Sequence, residues 1–134
     1  MVKHIAHLAI EISNLQNSLD FYVGALGFAY AFDNKDENGL ITMVYLKICE
    51  GEFVELFATG IHKPERKDYL IGFHHLCLEV EDIHKAEADL KSKGYTVKKP
   101  AMLGGDGSWQ FWADDPDGNP IEFMQYTENS SQIK

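Results

Sequence analysis

The residues best suited to chemistry come in a repeated pattern. His7, Ala9 and Glu11 alternate with Leu8, Ile10 and Ile12; 68 positions later His75, Cys77 and Glu79 alternate with Leu76, Leu78 and Val80. Alternate residues of a strand share a face. Each segment therefore predicts one apolar face for a core and one face carrying a His and a Glu. Two further glutamates, Glu55 and Glu122, sit in the apolar runs 53–57 and 120–124. A carboxylate in such surroundings is costly unless it is paired or bound to a cation. One His and one such Glu per half, His7 with Glu55 and His75 with Glu122, make a mixed nitrogen and oxygen set for one divalent metal: Zn, Ni, Co, Mn or Fe. Four protein ligands on a six-coordinate ion leave two positions for water or substrate, which is what Lewis-acid catalysis requires. A single His on a strand more often has a structural role, and it is the duplication of all four positions that favours the metal. His74 is expected on the face opposite His75; His4, His62 and His84 are expected in solvent.

The elements that must position these residues are also repeated. After each His segment comes an N-capping residue, Asn14 or Asp82, and then an apolar pattern at helical spacing. This predicts helices over 15–25 and 83–93, each closing near a glycine, Gly27 or Gly94. Gly51 to Phe57 matches Gly118 to Met124 as a turn followed by a strand with an embedded glutamate. Each half thus reads as strand, helix and three strands. The three strands are expected near 28–33, 40–48 and 52–58 in the first half, and near 95–99, 108–113 and 120–126 in the second. Asn38-Gly39 and Asp115-Pro116-Asp117-Gly118 are the turn signals between them.

The expected organisation is a single domain with module 1 over about 3–59, a charged surface linker over 60–71, module 2 over about 72–126, and a frayed polar tail over 127–134. The glycine-rich run 104–107 precedes a strand-like segment, not a helix, which argues against a phosphate cradle. Trp109 and Phe111 alternate with Gln110 and Trp112, and one of these faces could wall a pocket.

Composition narrows the partners. The chain has 134 residues, 45% of them hydrophobic, enough for a core. Its net charge of −9 argues against nucleic acid and anionic membrane surfaces. No apolar run approaches the roughly 20 residues that span a bilayer, and the first ten residues do not read as a signal peptide. A cytoplasmic protein acting on a small molecule is expected. Cys49 and Cys77 form no CxxC pair and read as small buried hydrophobes kept reduced.

Together, segments 7–28, 51–57, 75–94 and 115–122 resemble the vicinal oxygen chelate superfamily, which includes glyoxalase I, extradiol dioxygenases, methylmalonyl-CoA epimerase and the fosfomycin- and bleomycin-resistance proteins. The resemblance implies an α+β fold in which two tandem βαβββ modules form a curved mixed sheet around a metal cavity. It implies metal ligands at His7, Glu55, His75 and Glu122, the set of glyoxalase I and related isomerases, with Glu122 and Glu55 as the catalytic carboxylates. Glu122 would move a proton from the carbon beside a metal-chelated carbonyl. It also implies a homodimer. Where bacterial glyoxalase I carries an arginine for the glutathione carboxylate, this chain has Glu11; where an asparagine is expected, it has Thr59. With Glu79 on the matching strand, the pocket residues favour a neutral polyol, sugar-like or cationic substrate over a glutathione conjugate. The expected function is a metal-dependent lyase or isomerase related to lactoylglutathione lyase. The alternatives are a non-catalytic small-molecule binding or resistance protein, and an Fe(II) dioxygenase in which Glu55 would be dispensable.

Overall fold

A computed structural model describes residues 1–63, 65 and 71–134; Pro64 and residues 66–70 of the expected linker lie outside the described residues. The chain divides into two compact units, Met1–Glu65 and Arg66–Lys134. Both have the order strand, helix and three strands, and each builds its own four-stranded mixed sheet.

The first unit contains β1 (His7–Glu11), α1 (Leu15–Leu19), β2 (Ala29–Lys35), β3 (Ile41–Cys49) and β4 (Glu52–Phe57). The sheet order is β1-β4-β3-β2, with β1 parallel to β4 and the other pairs antiparallel. Val44, Leu46, Val54 and Leu56 are fully buried, and they alternate with the residues facing the other way. Asn14 caps α1 by accepting from the Asn17 amide. The helix expected over 15–25 changes winding at Asp20: Asp20–Ala25 is a π turn, in which the Leu26 amide donates to the Phe21 carbonyl. Gly24 weakens the regular ladder at that point, and Phe21 and Tyr22 are both completely buried.

The second unit contains β5 (Leu76–Glu79), α2 (Ile83–Ser92), β6 (Val97–Leu103), β7 (Trp109–Asp114) and β8 (Pro120–Gln125). Its sheet order, β5-β8-β7-β6, repeats that of the first, with β5 parallel to β8. α2 is capped by Asp82 and packs across β6, β7 and β8 through Ile83 and Leu90. β6 continues through Pro100, which an edge strand tolerates because one side needs no donor. Buried Glu87 ties the helix to this strand: it accepts from the Ala101 amide at 2.9 Å and pairs with Lys91.

The tail is not frayed. Ser130 is fully buried and hydrogen-bonds the buried Ser108 hydroxyl at 2.8 Å. The Thr127 hydroxyl donates to the Gly107 carbonyl, and the Ser131 amide to the Asp106 carbonyl. The 104–108 loop satisfies its own Gly104, Gly107 and Ser108 amides, and the polar tail supplies donors for its outward Asp106 and Gly107 carbonyls.

Candidate metal-ligand pairs

Strand register places each catalytic candidate. In the first unit Ala9 and Tyr45 are the cross-strand partners of Glu55 on either side. Glu55 therefore shares its face with His7, Ala9 and Glu11. In the second unit Cys77 and Trp112 flank Glu122 in the same way. His75 immediately precedes β5 and keeps its alternation, so it lies on the Glu122 face with Glu79.

Both His–Glu pairs close. His7 Nε2 lies 3.4 Å from Glu55 Oε2, and His75 Nε2 lies 2.9 Å from Glu122 Oε2. Glu55 and Glu122 are 9% and 8% exposed, so each pairing answers the cost of a buried carboxylate. The spacings also suit a shared cation. Two donors each about 2.1 Å from an ion and about 90–110° apart are separated by about 3.0–3.4 Å. The donor set in each unit, one imidazole nitrogen and one carboxylate oxygen, is thus compatible with a divalent metal. Among the described residues no group of three or more His, Cys, Asp or Glu side chains is gathered at one point; what each unit supplies is a pair.

An aromatic residue stands beside each pair. Tyr45 meets His7 edge-on with ring centroids 5.5 Å apart, and Trp112 meets His75 edge-on at 4.6 Å. Tyr45 and Trp112 are 67 positions apart, the same offset as Glu55 and Glu122. The repeat could have revealed them, but an aromatic in an apolar strand reads first as core. Burial, with the Glu55 charge next, raises the pKa of the Tyr45 hydroxyl. The Trp112 indole N–H donates to Gln110 at 2.7 Å, and the Lys99 ammonium sits over its ring.

Several residues differ from expectation. His74 does not simply face away: its Nδ1 lies 2.7 Å from His75 Nδ1, so His75 is held at both ring nitrogens. Cys49 and Cys77 are free and exposed, not buried. Cys49 lies at the end of β3 against Glu52, and Cys77 belongs to the Glu122 face instead of the apolar one. Although the residue is exposed as a whole, partial desolvation of the Cys77 thiol by the chain around it, then the Glu122 charge, pushes its pKa up to about 12. Phe111 stacks on Phe123 in the core, and Trp109 meets His84 of α2. Both lie on the helix-packed face, so the face shared with Glu122 presents Gln110 and Trp112 in their place. His4, His62 and His84 are exposed as expected. Glu11 and Glu79 are also exposed, each on the face of its unit's His. The Thr59 hydroxyl donates to Glu11 Oε2 at 2.9 Å.

No helix among the described residues is long and apolar enough to cross a membrane. Residues 4–123 match the sequence pattern of the Glyoxalase/Bleomycin resistance protein/Dioxygenase superfamily. The chain is 29% identical over 131 residues to a lactoylglutathione lyase of Neisseria meningitidis, covering 96% of this chain and 95% of that one. It is 34% identical over 98 residues to a mitochondrial methylmalonyl-CoA epimerase of Dictyostelium discoideum, covering 70% and 59%. A glyoxalase family protein of Enterococcus faecalis has the same fold, with a TM-score of 0.76 at 31% identity, covering 91% of this chain and 97% of that one. Fold, repeat and sequence agree: the chain belongs to the Glyoxalase/Bleomycin resistance protein/Dioxygenase superfamily.

Proposed function

We propose that the protein is a divalent-metal-dependent enzyme, of lyase or isomerase type, that moves a proton at the carbon next to a carbonyl of a small molecule. The observation that carries this reading is the duplicated, closed His–Glu pair: 3.4 Å in one unit and 2.9 Å in the other, with both carboxylates buried. The proposed ligand set is His7, Glu55, His75 and Glu122. When bound, the metal (Zn, Ni, Co, Mn or Fe) supplies a positive centre that stabilises negative charge developing on the substrate oxygens. Glu122 accepts the proton from carbon and returns it to the neighbouring position, a carboxylate acting as general base and then general acid. Glu55 stays in place. His74, through the other ring nitrogen, fixes the orientation of His75, as outer partners of metal-binding imidazoles commonly do.

The similarity to a lactoylglutathione lyase and to an epimerase supports proton transfer beside a carbonyl. The Glu11–Thr59 pair and Glu79 support a substrate without a glutathione carboxylate, because exposed glutamates on these faces repel an anion and accept hydrogen bonds from hydroxyl or ammonium groups. The proposed assembly is a homodimer in the cytoplasm.

The test is solvent-hydrogen exchange in heavy water, followed by proton NMR. Metal-loaded protein is offered neutral and cationic hydroxy-carbonyl and dicarbonyl compounds, with and without glutathione. Exchange at the carbon beside the carbonyl is expected without glutathione, and Glu122→Gln is expected to abolish it. Exchange confined to glutathione adducts would overturn the substrate class, and exchange that persists in Glu122→Gln would overturn the role of that residue. Iron-dependent oxygen consumption that survives Glu55→Ala would favour the dioxygenase. Binding without any exchange would favour the resistance-type protein.

A further inference from the structure

The second unit braces its histidine in a way the first does not. Trp112 meets His75 edge-on, with ring centroids 4.6 Å apart. The indole is fixed in turn. Its N–H donates to Gln110 Oε1 at 2.7 Å, and the Lys99 ammonium lies over its ring. Gln110 and Trp112 are two residues apart on β7, so both share the Glu122 face. An indole N–H can only donate, so it selects the oxygen end of the Gln110 amide. The amide nitrogen is then turned the other way, against Gly104. A Cβ at Gly104 would lie 2.2 Å from Gln110 Nε2 and 2.9 Å from Asp106 Oδ1. No positive φ calls for a glycine at this position; the amide lying against it does. In the first unit the position equivalent to Gln110 is Met43, 67 residues earlier, opposite Phe57 as Gln110 is opposite Met124. A thioether is a weak acceptor, so the brace belongs to the second unit alone.

We infer that Gln110 is a positioning residue: through Trp112 it sets the ring of His75, and Gly104 is the space it needs. The last torsion of an imidazole is intrinsically broad. A ring packed against an indole that is itself held at its N–H and over its face loses that freedom before an ion arrives. A ligand already in place has less conformational entropy to lose on binding. His74 restrains His75 at Nδ1, and Gln110 restrains it through its ring contact. The closer approach of His75 to Glu122, 2.9 Å against 3.4 Å for His7 and Glu55, accords with this support. The inference rests on the metal reading proposed above.

The test is a double-mutant cycle in full-length protein, read first without metal. Gln110→Ala removes the acceptor. Gly104→Ala displaces the Gln110 amide without deleting it, because the flexible end of that side chain gives way before the backbone does. Circular dichroism checks that both folds are retained. The indole N–H resonance of Trp112, assigned by its loss in Trp112→Phe, is expected to move upfield and exchange faster with solvent in each single variant. Titration of Zn²⁺ or Mn²⁺ against a chromophoric chelator reads the consequence. Affinity is expected to fall about tenfold in each single variant, the low end for outer partners of a ligand. The double variant is expected to match Gln110→Ala, since both changes act on one contact. A loop merely weakened by Gly104→Ala would lose affinity again in the Gln110→Ala background, and that result would overturn the role of Gly104. Wild-type protein that binds metal while Gln110→Ala binds it equally well would overturn the inference and leave the proposed function standing. Wild-type protein that binds no metal would overturn both. An indole resonance indifferent to Gln110→Ala would overturn the inference even if affinity fell.

Discussion

At the scale of single residues, the faces of β1 and β5 carry most of the chemistry, and alternation made them legible. His7 and Glu11, and His75 and Glu79, are separated by a strand's period from the apolar residues between them, so their faces follow from spacing alone. Which aromatic residues stand beside them is a matter of cross-strand register, and no local pattern in 41–49 or 109–114 reveals it. Cys77 shows the same limit: in sequence it is a small apolar residue in an apolar run, and in the fold it touches Glu122. With its pKa pushed up to about 12 by burial and then by that carboxylate, its thiol is almost wholly protonated at pH 8. Because the thiolate is the nucleophile, alkylation of Cys77 by iodoacetamide in metal-free protein is expected to run roughly a thousandfold slower than for an unperturbed cysteine. Peptide mapping by mass spectrometry over time reads this directly, and modification at the free-thiol rate would contradict the placement.

At the scale of elements, helix starts were legible and helix ends were less so. Asn14 and Asp82 announce the caps, and both side chains accept the amide three residues on. The π turn at Asp20–Ala25 left no such signal: Gly24 is the one local hint of a weakened ladder, and the complete burial of the adjacent Phe21 and Tyr22 shows only in the fold. Glu87 was equally hidden: a glutamate in a polar helix face reads as solvated, yet it clamps α2 to β6. The Lys91 hydrogen bond, opposed by burial and aided by the Ala101 amide, holds its carboxyl below the usual range. A depressed carboxyl stabilises the fold above the unfolded-state pKa, and that contribution is lost as the pH falls through the folded value. Glu87→Gln is therefore expected to flatten the acid limb of stability below the ordinary glutamate range. Urea unfolding at a series of pH values measures this, and parallel curves for the two proteins would sink it. The tail tells a similar story. Gly107 has φ +83°, and a Cβ there would lie 2.5 Å from the Asn129 carbonyl oxygen. Gly107→Ala is expected to cost about 1–3 kcal/mol through that strain, and to raise amide exchange in 127–133. Unchanged exchange in that stretch would show that the tail does not depend on this approach.

At the scale of the whole molecule, the repeat was the most legible feature, because two copies of one strand–helix–three-strand order support each other. It also sets the question that matters for function: whether the two His–Glu pairs act as one ligand set. A single imidazole and a single carboxylate are a weak site, since bound divalent metals generally take at least three protein ligands. If His7, Glu55, His75 and Glu122 serve one ion, then excess Zn²⁺ or Mn²⁺ stabilises the folded protein by about 2.7 kcal/mol at a free concentration a hundred times the dissociation constant. The melting temperature should rise accordingly. His7→Ala and His75→Ala should each abolish the rise, although the two residues belong to different units. Loss in one variant and retention in the other would mean that the metal is held by one unit alone, and the four-ligand set would fall. Diffuse attraction of cations to a chain of net charge −9 is the rival explanation of any rise. Because exposed charges are screened by salt, that effect would fade at high ionic strength and survive both substitutions. Coordination by buried glutamates would do neither, so a melting series at low and high salt separates the two.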